Sequence, residues 1–197
     1  MNNTVIVCVV VAAVLVVWAI MVYNRLMALR NRTGNALAQI DVQLKRRYDL
    51  IPNLVSVAKK YLEHESHTLE AVVRARGQAQ AAATALRTEP GKPEVAEAMV
   101  SAETALGGAL GRLMVLTESY PDLKADATMQ SLSEELNSTE NRIGYARQAY
   151  NDQVLEFNNA AKSFPAILVA AMLGFHAVPM LQSTQNAQER EAVRVQF

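Results

Sequence analysis

Residues Val5 to Val22 form an unbroken run of eighteen side chains with no charge, no proline and no glycine. No other feature restricts the fold as strongly. At about 1.5 Å per residue the run measures roughly 27 Å as a helix, close to the thickness of a bilayer core. Trp18 and Tyr23 stand toward its C-terminal end, where amphipathic rings favour the membrane–water boundary. A cleaved leader would carry a positive segment before the run and small residues at a cleavage site. Met1 to Thr4 holds no Lys or Arg, and Ile20-Met21-Val22-Tyr23 offers no such site. The run therefore reads as an uncleaved membrane anchor over residues 1–23. Cys8, the only cysteine, lies inside it, so no disulfide can form within one chain. Val5-Ile6-Val7 before it do not suit a lipoprotein site, and Cys8 reads as a small apolar side chain.

Charge flanks the anchor on one side. Arg25, Arg30 and Arg32 follow it, and no acid appears before Asp41. The positive-inside rule then places the N-terminus outside and the rest of the chain in the cytoplasm. From Tyr23 to Tyr61 eight Lys/Arg stand against two Asp, a balance of +6. From Leu62 onward eleven Lys/Arg stand against seventeen acids, a balance of −6. Internal pairing between these halves explains the asymmetry slightly better than attraction to anionic lipid. No basic, aromatic-studded module suggests a nucleic-acid partner.

Beyond the anchor the chain reads as all-α. Ala, Leu, Gln, Glu and Arg dominate, and alternating β-branched runs are absent. Apolar residues recur every three or four positions through Leu26, Leu29, Thr33, Leu37, Ile40 and Leu44, then Ile51, Leu54, Ala58 and Tyr61. A second stripe runs from Met129 through Leu136, Ile143, Tyr150, Val154 and Phe157 to Phe164. Pro52, Glu89 to Pro93, and Ser119 to Asp122 punctuate the pattern. The expectation is an up-and-down antiparallel four-helix bundle over 24–164, with helices at 24–49, 50–88, 94–119 and 125–164. The rival is a helix that continues, kinked, through Pro52, giving three helices. Its membrane-proximal stripe would need partners from elsewhere. Gly107, Gly108 and Gly111 fall inside helix three, where close approach of another helix or a local bend would account for them.

The string Asp41-Val-Gln-Leu-Lys-Arg-Arg-Tyr-Asp-Leu-Ile-Pro-Asn-Leu-Val55 is the densest in charge. Asp41–Lys45 and Lys45–Asp49 have i,i+4 spacing, which suits exposed ion pairs. Arg47 differs, because it occupies the stripe position between Leu44 and Ile51 and should face the bundle. A buried guanidinium must be paired, and Glu140 on helix four is the expected partner. The alternative is a polar patch, including Arg46, Tyr48 and Asn53, that binds a partner protein or headgroup. Tyr150-Asn151 and Phe157-Asn158 repeat an aromatic-Asn pair seven residues apart, on one helix face. Their amides are expected to fix register against a neighbouring helix.

Enzymatic signatures are missing. There is no nucleophile elbow, P-loop or dinucleotide fingerprint. His64 and His67, beside Glu63, lack the spacing of zinc proteases and have no further Cys or His nearby. No catalytic, metal or cofactor residue is assigned. The tail over 165–197 begins with a second apolar region, whose thirteen-residue core from Ala166 to Val178 is too short to span a bilayer. It either caps the bundle, lies at the membrane surface or meets another subunit. Leu168, Met172 and Phe175, if exposed, would mark an interaction surface.

The ordered set of motifs resembles the LemA family of bacterial membrane-anchored helical proteins. Four places carry the resemblance. They are Tyr23-Asn24 through Leu29-Arg30-Asn31, and Asp41 to Val55 continued by Tyr61, His64-Glu65, Leu69-Glu70 and Ala75-Arg76. The third is Glu140-Asn141-Arg142-Ile143 through Ala146-Arg147, Tyr150-Asn151, Phe157-Asn158 and Ser163-Phe164-Pro165. The last is Arg190 to Phe197. Departures fall at Ala36-Leu37, where an aromatic is more usual, and at Asn159-Ala160. The resemblance implies a membrane helix and a helical bundle, and brings no catalytic residues. The expected role is a non-enzymatic scaffold or assembly module at the bacterial inner membrane. Its expected partners are the bilayer and further copies of itself. The alternative is an adaptor for another membrane machine, such as an envelope quality-control protease.

Overall fold

The apolar run does not end in a joint. In the computed structural model, which describes residues 3–62 and 64–181, one helix, α1, extends from Asn3 to Lys59. Its 57 residues span about 86 Å at 1.5 Å per residue. The side chains of Val5 to Val17 project outward with nothing against them. Burial begins at Leu26 and recurs at Leu29, Thr33, Ile40, Leu44, Arg47, Ile51, Leu54 and Ala58.

The expected break at residue 50 is therefore corrected. Proline inside a helix removes a backbone donor, so the carbonyl four residues earlier loses its partner. Here that carbonyl belongs to Tyr48, and Arg76 Nε donates to it at 2.6 Å. The substitute donor, and a stripe that stays in register across Pro52, let α1 continue. The turn comes later, where Lys60, Tyr61 and Leu62 N–H groups fold back on Val57 and Ala58 carbonyls. Leu62 is fully buried there and pins the turn.

Helix α2 (Ser66–Thr88) then runs back along α1, and α3 (Pro93–Glu118) reverses again after the Pro90-Gly91 loop. A five-residue helix, α4 (Pro121–Ala125), turns the chain at the far end. Helix α5 (Ala127–Lys162) returns the whole distance. Its N-terminus is capped by Asp126, which accepts from the Thr128 and Met129 N–H groups at 2.9 Å. The four long helices of the bundle are α1, α2, α3 and α5, with their first boundary moved from residue 50 to the turn after Lys59.

The long α1 also finds the partners that its stripe requires. Helix α5 has 36 residues, as many as α1 has between residues 24 and 59. The two lie antiparallel along their full length. Leu26 and Leu29 pack with Phe157 and Ala161, and the Thr33 hydroxyl, which donates to the Leu29 carbonyl at 3.1 Å, stands 3.5 Å from the Gln153 carbonyl. Where α2 and α3 stop, the chain after α5 takes over. Helix α6 (Ala166–Met172) and Phe175 close the membrane-proximal cluster. Gly174, at φ 70°, ends α6 in the left-handed region that glycine tolerates. Phe175 N–H then bonds the Ala170 carbonyl at 3.0 Å. This folds the Phe175 ring back on Tyr23 and Phe157.

Candidate functional site

Arg47 is 2% exposed and lies where three helices meet. Its Nη1 is 2.8 Å from Glu103 Oε2 on α3 and 3.2 Å from Glu140 Oε2 on α5. Glu103 is buried as well, and its other oxygen accepts from the Tyr48 hydroxyl. Burial, then the charge of Glu103, hold the Tyr48 hydroxyl far above its ordinary value, so it remains a neutral donor. The carboxylate of Glu103 is thus held between a cation and a phenol, with each oxygen engaged. The expected partner Glu140 is present, on the half-exposed side of the cluster. Glu103 is the residue that sequence reasoning missed. Its signal was available: it interrupts the apolar stripe Ala96, Met99, Leu106, Leu110, Leu113 of α3, as Arg47 interrupts that of α1.

A cleft of ≈330 Å³ opens beside this cluster, lined by Arg47, Glu103, Gly107, Glu140 and Arg147 among others. Arg47 Nε and Arg147 Nε are buried without a hydrogen-bond partner from the protein. Gly107 lies against the guanidinium: a Cβ there would stand 3.7 Å from Arg47 Nη2, an ordinary van der Waals contact. No side chain or neighbouring helix comes within 4 Å of a Cβ at Gly108 or Gly111. Close helix approach within the chain therefore does not account for those two glycines, because their face of α3 points outward.

The rest of the charged string lies outside the cluster. Lys45 pairs with Asp49 at 3.0 Å on the exposed surface. Asp41 turns instead to Arg87 of α2, at 3.4 Å. Arg46 reaches across to Glu135 of α5, with Nη2 at 2.7 Å and Nε at 3.1 Å. Pro52, Asn53 and Arg142 are exposed. His64 and His67 are exposed too, and Glu63 lies outside the described residues, as does the motif from Arg190 to Phe197.

The aromatic-Asn repeat does not lock a helix; it holds the tail. Asn151 exchanges two hydrogen bonds with the backbone of Leu181, at 2.7 and 2.8 Å. Asn158 does the same with Val178, both at 2.9 Å. Seven helical residues rise about 10.5 Å, and three extended residues reach about 10 Å. The two amides therefore match the tail's own spacing. Tyr150 adds a bond from its hydroxyl to the Pro179 carbonyl at 3.1 Å, and burial pushes its pKa up to about 12. Leu181 is completely buried in the main core as a result.

At the membrane-proximal end the expected tail surface divides in two. Phe175 is buried as a cap, against Tyr23 at a centroid distance of 5.9 Å. Phe164, Leu168 and Met172 are 83%, 58% and 86% exposed, and Pro165 is exposed beside them. Trp18 is half-buried on α1, and Arg25 is exposed one turn beyond Met21.

Comparison with known proteins fits this architecture. Magnetosome protein MamQ of Magnetospirillum gryphiswaldense is 27% identical over 174 residues, covering 81% of this chain and 64% of that protein. Magnetosome protein MamQ 2 of Paramagnetospirillum magneticum is 28% identical over 178 residues, covering 83% and 65%. The chain thus spans somewhat less than two thirds of the length of these relatives. With the uncovered apolar stretch of α1, the similarities point to a membrane-associated protein. The LemA family model matches residues 36–197, and on that match, with the helical architecture above, the chain belongs to the LemA family.

Proposed function

We propose that this chain is a non-enzymatic scaffold or assembly module that self-associates at the bacterial inner membrane. The observation that carries the reading is α1, which joins the uncovered apolar stretch and a bundle element in one helix; with that stretch as the anchor, it would hold the bundle's surfaces at a set height above the bilayer. The charges of the Asp41–Val55 string support it, since Arg47, Arg46 and Asp41 each tie α1 to another helix. Self-association is supported by the outer face of α3. Gly108, Gly111 and Val115, spaced by three and four residues, are exposed there with nothing against either glycine. Arg25, Arg30 and Arg32 support a single crossing with the bundle in the cytoplasm.

The test is the mass of the full-length protein extracted into native-membrane nanoparticles. A large, uniform particle is expected. A lone monomer would remove the self-association and favour the second reading, an adaptor for another membrane machine. That reading draws on the cleft beside Arg47, Glu103, Glu140 and Arg147, whose charged lining suits a partner's polar segment.

A further inference from the structure

We propose that the outward face of α6, together with Phe164, rests in the interfacial layer of the same bilayer that α1 crosses, as a second membrane contact that does not span. The proposal depends on the anchor reading of α1 and adds a distinct surface to it. Residues 163–181 contain no Asp, Glu, Lys or Arg. Within them α6 has two faces. Val169 and Ala170 are buried, Ala170 against Leu26, Leu29 and Phe157. Ile167, Leu168 and Met172 are exposed on one side of α6, Leu168 and Met172 at i, i+4 spacing, and Phe164, in the turn before the helix, is exposed too. A bundle cap has no use for that face, because its own cap residues are already on the other side.

The position of the face selects its occupant. Helices α1 and α5 pair so that Arg47 meets Glu140 and Thr33 meets Gln153. Continued toward the membrane, this register brings the end of α5 level with Asn24 and Arg25, just past the point where the uncharged run stops. Val22 packs on the α6 cluster, and the Tyr23 ring touches Phe175. An apolar face at that height meets the headgroup and upper acyl region as soon as the run is in the bilayer. Such a layer takes up apolar side chains to a depth of about 5–10 Å. A seven-residue helix, only about 10 Å long, suits lying along it and cannot cross. Charge agrees: Arg25, Arg30, Arg32 and Lys162 are exposed around this end, and residues 1–40 and 157–181 contain no acid. Anionic headgroups are the complement of that pattern.

The test is nitroxide accessibility on the full-length protein in vesicles of phosphatidylethanolamine and phosphatidylglycerol. In a Cys8→Ala background, single labels are placed through Leu168→Cys, Met172→Cys, Tyr145→Cys and Val14→Cys. Tyr145, 74% exposed on α5, reports the water-facing bundle and Val14 the anchor. The expected result is an oxygen-to-nickel-chelate collision ratio at 168 and 172 several-fold above that at 145, in the direction of that at 14. A ratio at 168 and 172 equal to that at 145, with 14 high, overturns the second contact and leaves the anchor standing. Shielding of 168 and 172 from both reagents overturns it in favour of coverage by another copy. A low ratio at 14 as well overturns the anchor reading and the proposal with it.

Discussion

A guanidinium stays buried in a helical bundle only where the surrounding helices supply oxygens to it. Arg47 has one from α3 and one from α5, so a single side chain joins three helices. Removing one member of a buried pair strands the other. Arg47→Met is therefore expected to destabilise the bundle by about 3–5 kcal/mol, read as a lower urea midpoint in detergent micelles. Adding Glu103→Gln should restore most of that loss, because a neutral amide still accepts from Tyr48 and no charge is left unpaired. An unchanged midpoint for Arg47→Met would show that the cluster holds nothing together. Tyr150 gives a pH-dependent counterpart. Its pKa rises from 10.0 to about 12 on burial, so the fold favours the neutral phenol. That contribution is complete below pH 10 and is lost as pH climbs from 10 toward about 12. Tyr150→Phe should flatten this part of the alkaline loss in thermal midpoint, while Tyr48, also raised, keeps its own share. At this scale the sequence was partly legible. An arginine on an apolar stripe announces burial, and its partner Glu140 could be chosen by motif. Glu103 announced itself in the same way, but its helix carries no recognisable motif to direct attention to it.

Elements are where sequence reading lost most. Pro52 is a strong local signal for a break, and nothing local shows that Arg76, 28 residues beyond Tyr48 in the sequence, supplies the missing donor. The true turn at residues 60–65 contains neither Gly nor Pro; burial of Leu62 makes it, and burial is a tertiary fact. Arg76→Met is expected to cost about 1–3 kcal/mol by leaving the Tyr48 carbonyl unsatisfied. Pro52→Ala should remove most of that cost by returning a backbone N–H, so a double-mutant cycle over urea midpoints should show strong coupling. Additive effects would mean that the contact does not replace the missing bond. The tail shows the reverse relation: the Asn151 and Asn158 repeat was visible, but its partner was a stretch of extended chain and not a helix. Asn151→Ala and Asn158→Ala together should abolish hydrogen-exchange protection of the Val178 and Leu181 amides, which donate to those side chains. The bundle's own amides should keep theirs.

For the whole molecule, the fold class and the long uncovered apolar stretch followed from periodicity and one uncharged run, because both are averages over many residues. The continuity of α1 through Pro52 followed from neither. With its apolar stretch in a bilayer, as proposed above, a stiff rod passing from lipid into a folded body has no swivel. Where hydrocarbon is thinner than the apolar stretch, a transmembrane helix tilts, and here everything attached must lean with it. From residue 24 to Lys59 the lever is about 54 Å long, so a lean of about 20° moves its far end sideways by roughly 18 Å. Energy transfer between a dye on that end and a dye in the bilayer surface should therefore change between short-chain and long-chain lipid discs. A flexible glycine-serine insert after Arg32 should abolish the change. In this arrangement bilayer thickness, a property of the lipid alone, becomes a displacement at the opposite end of the protein.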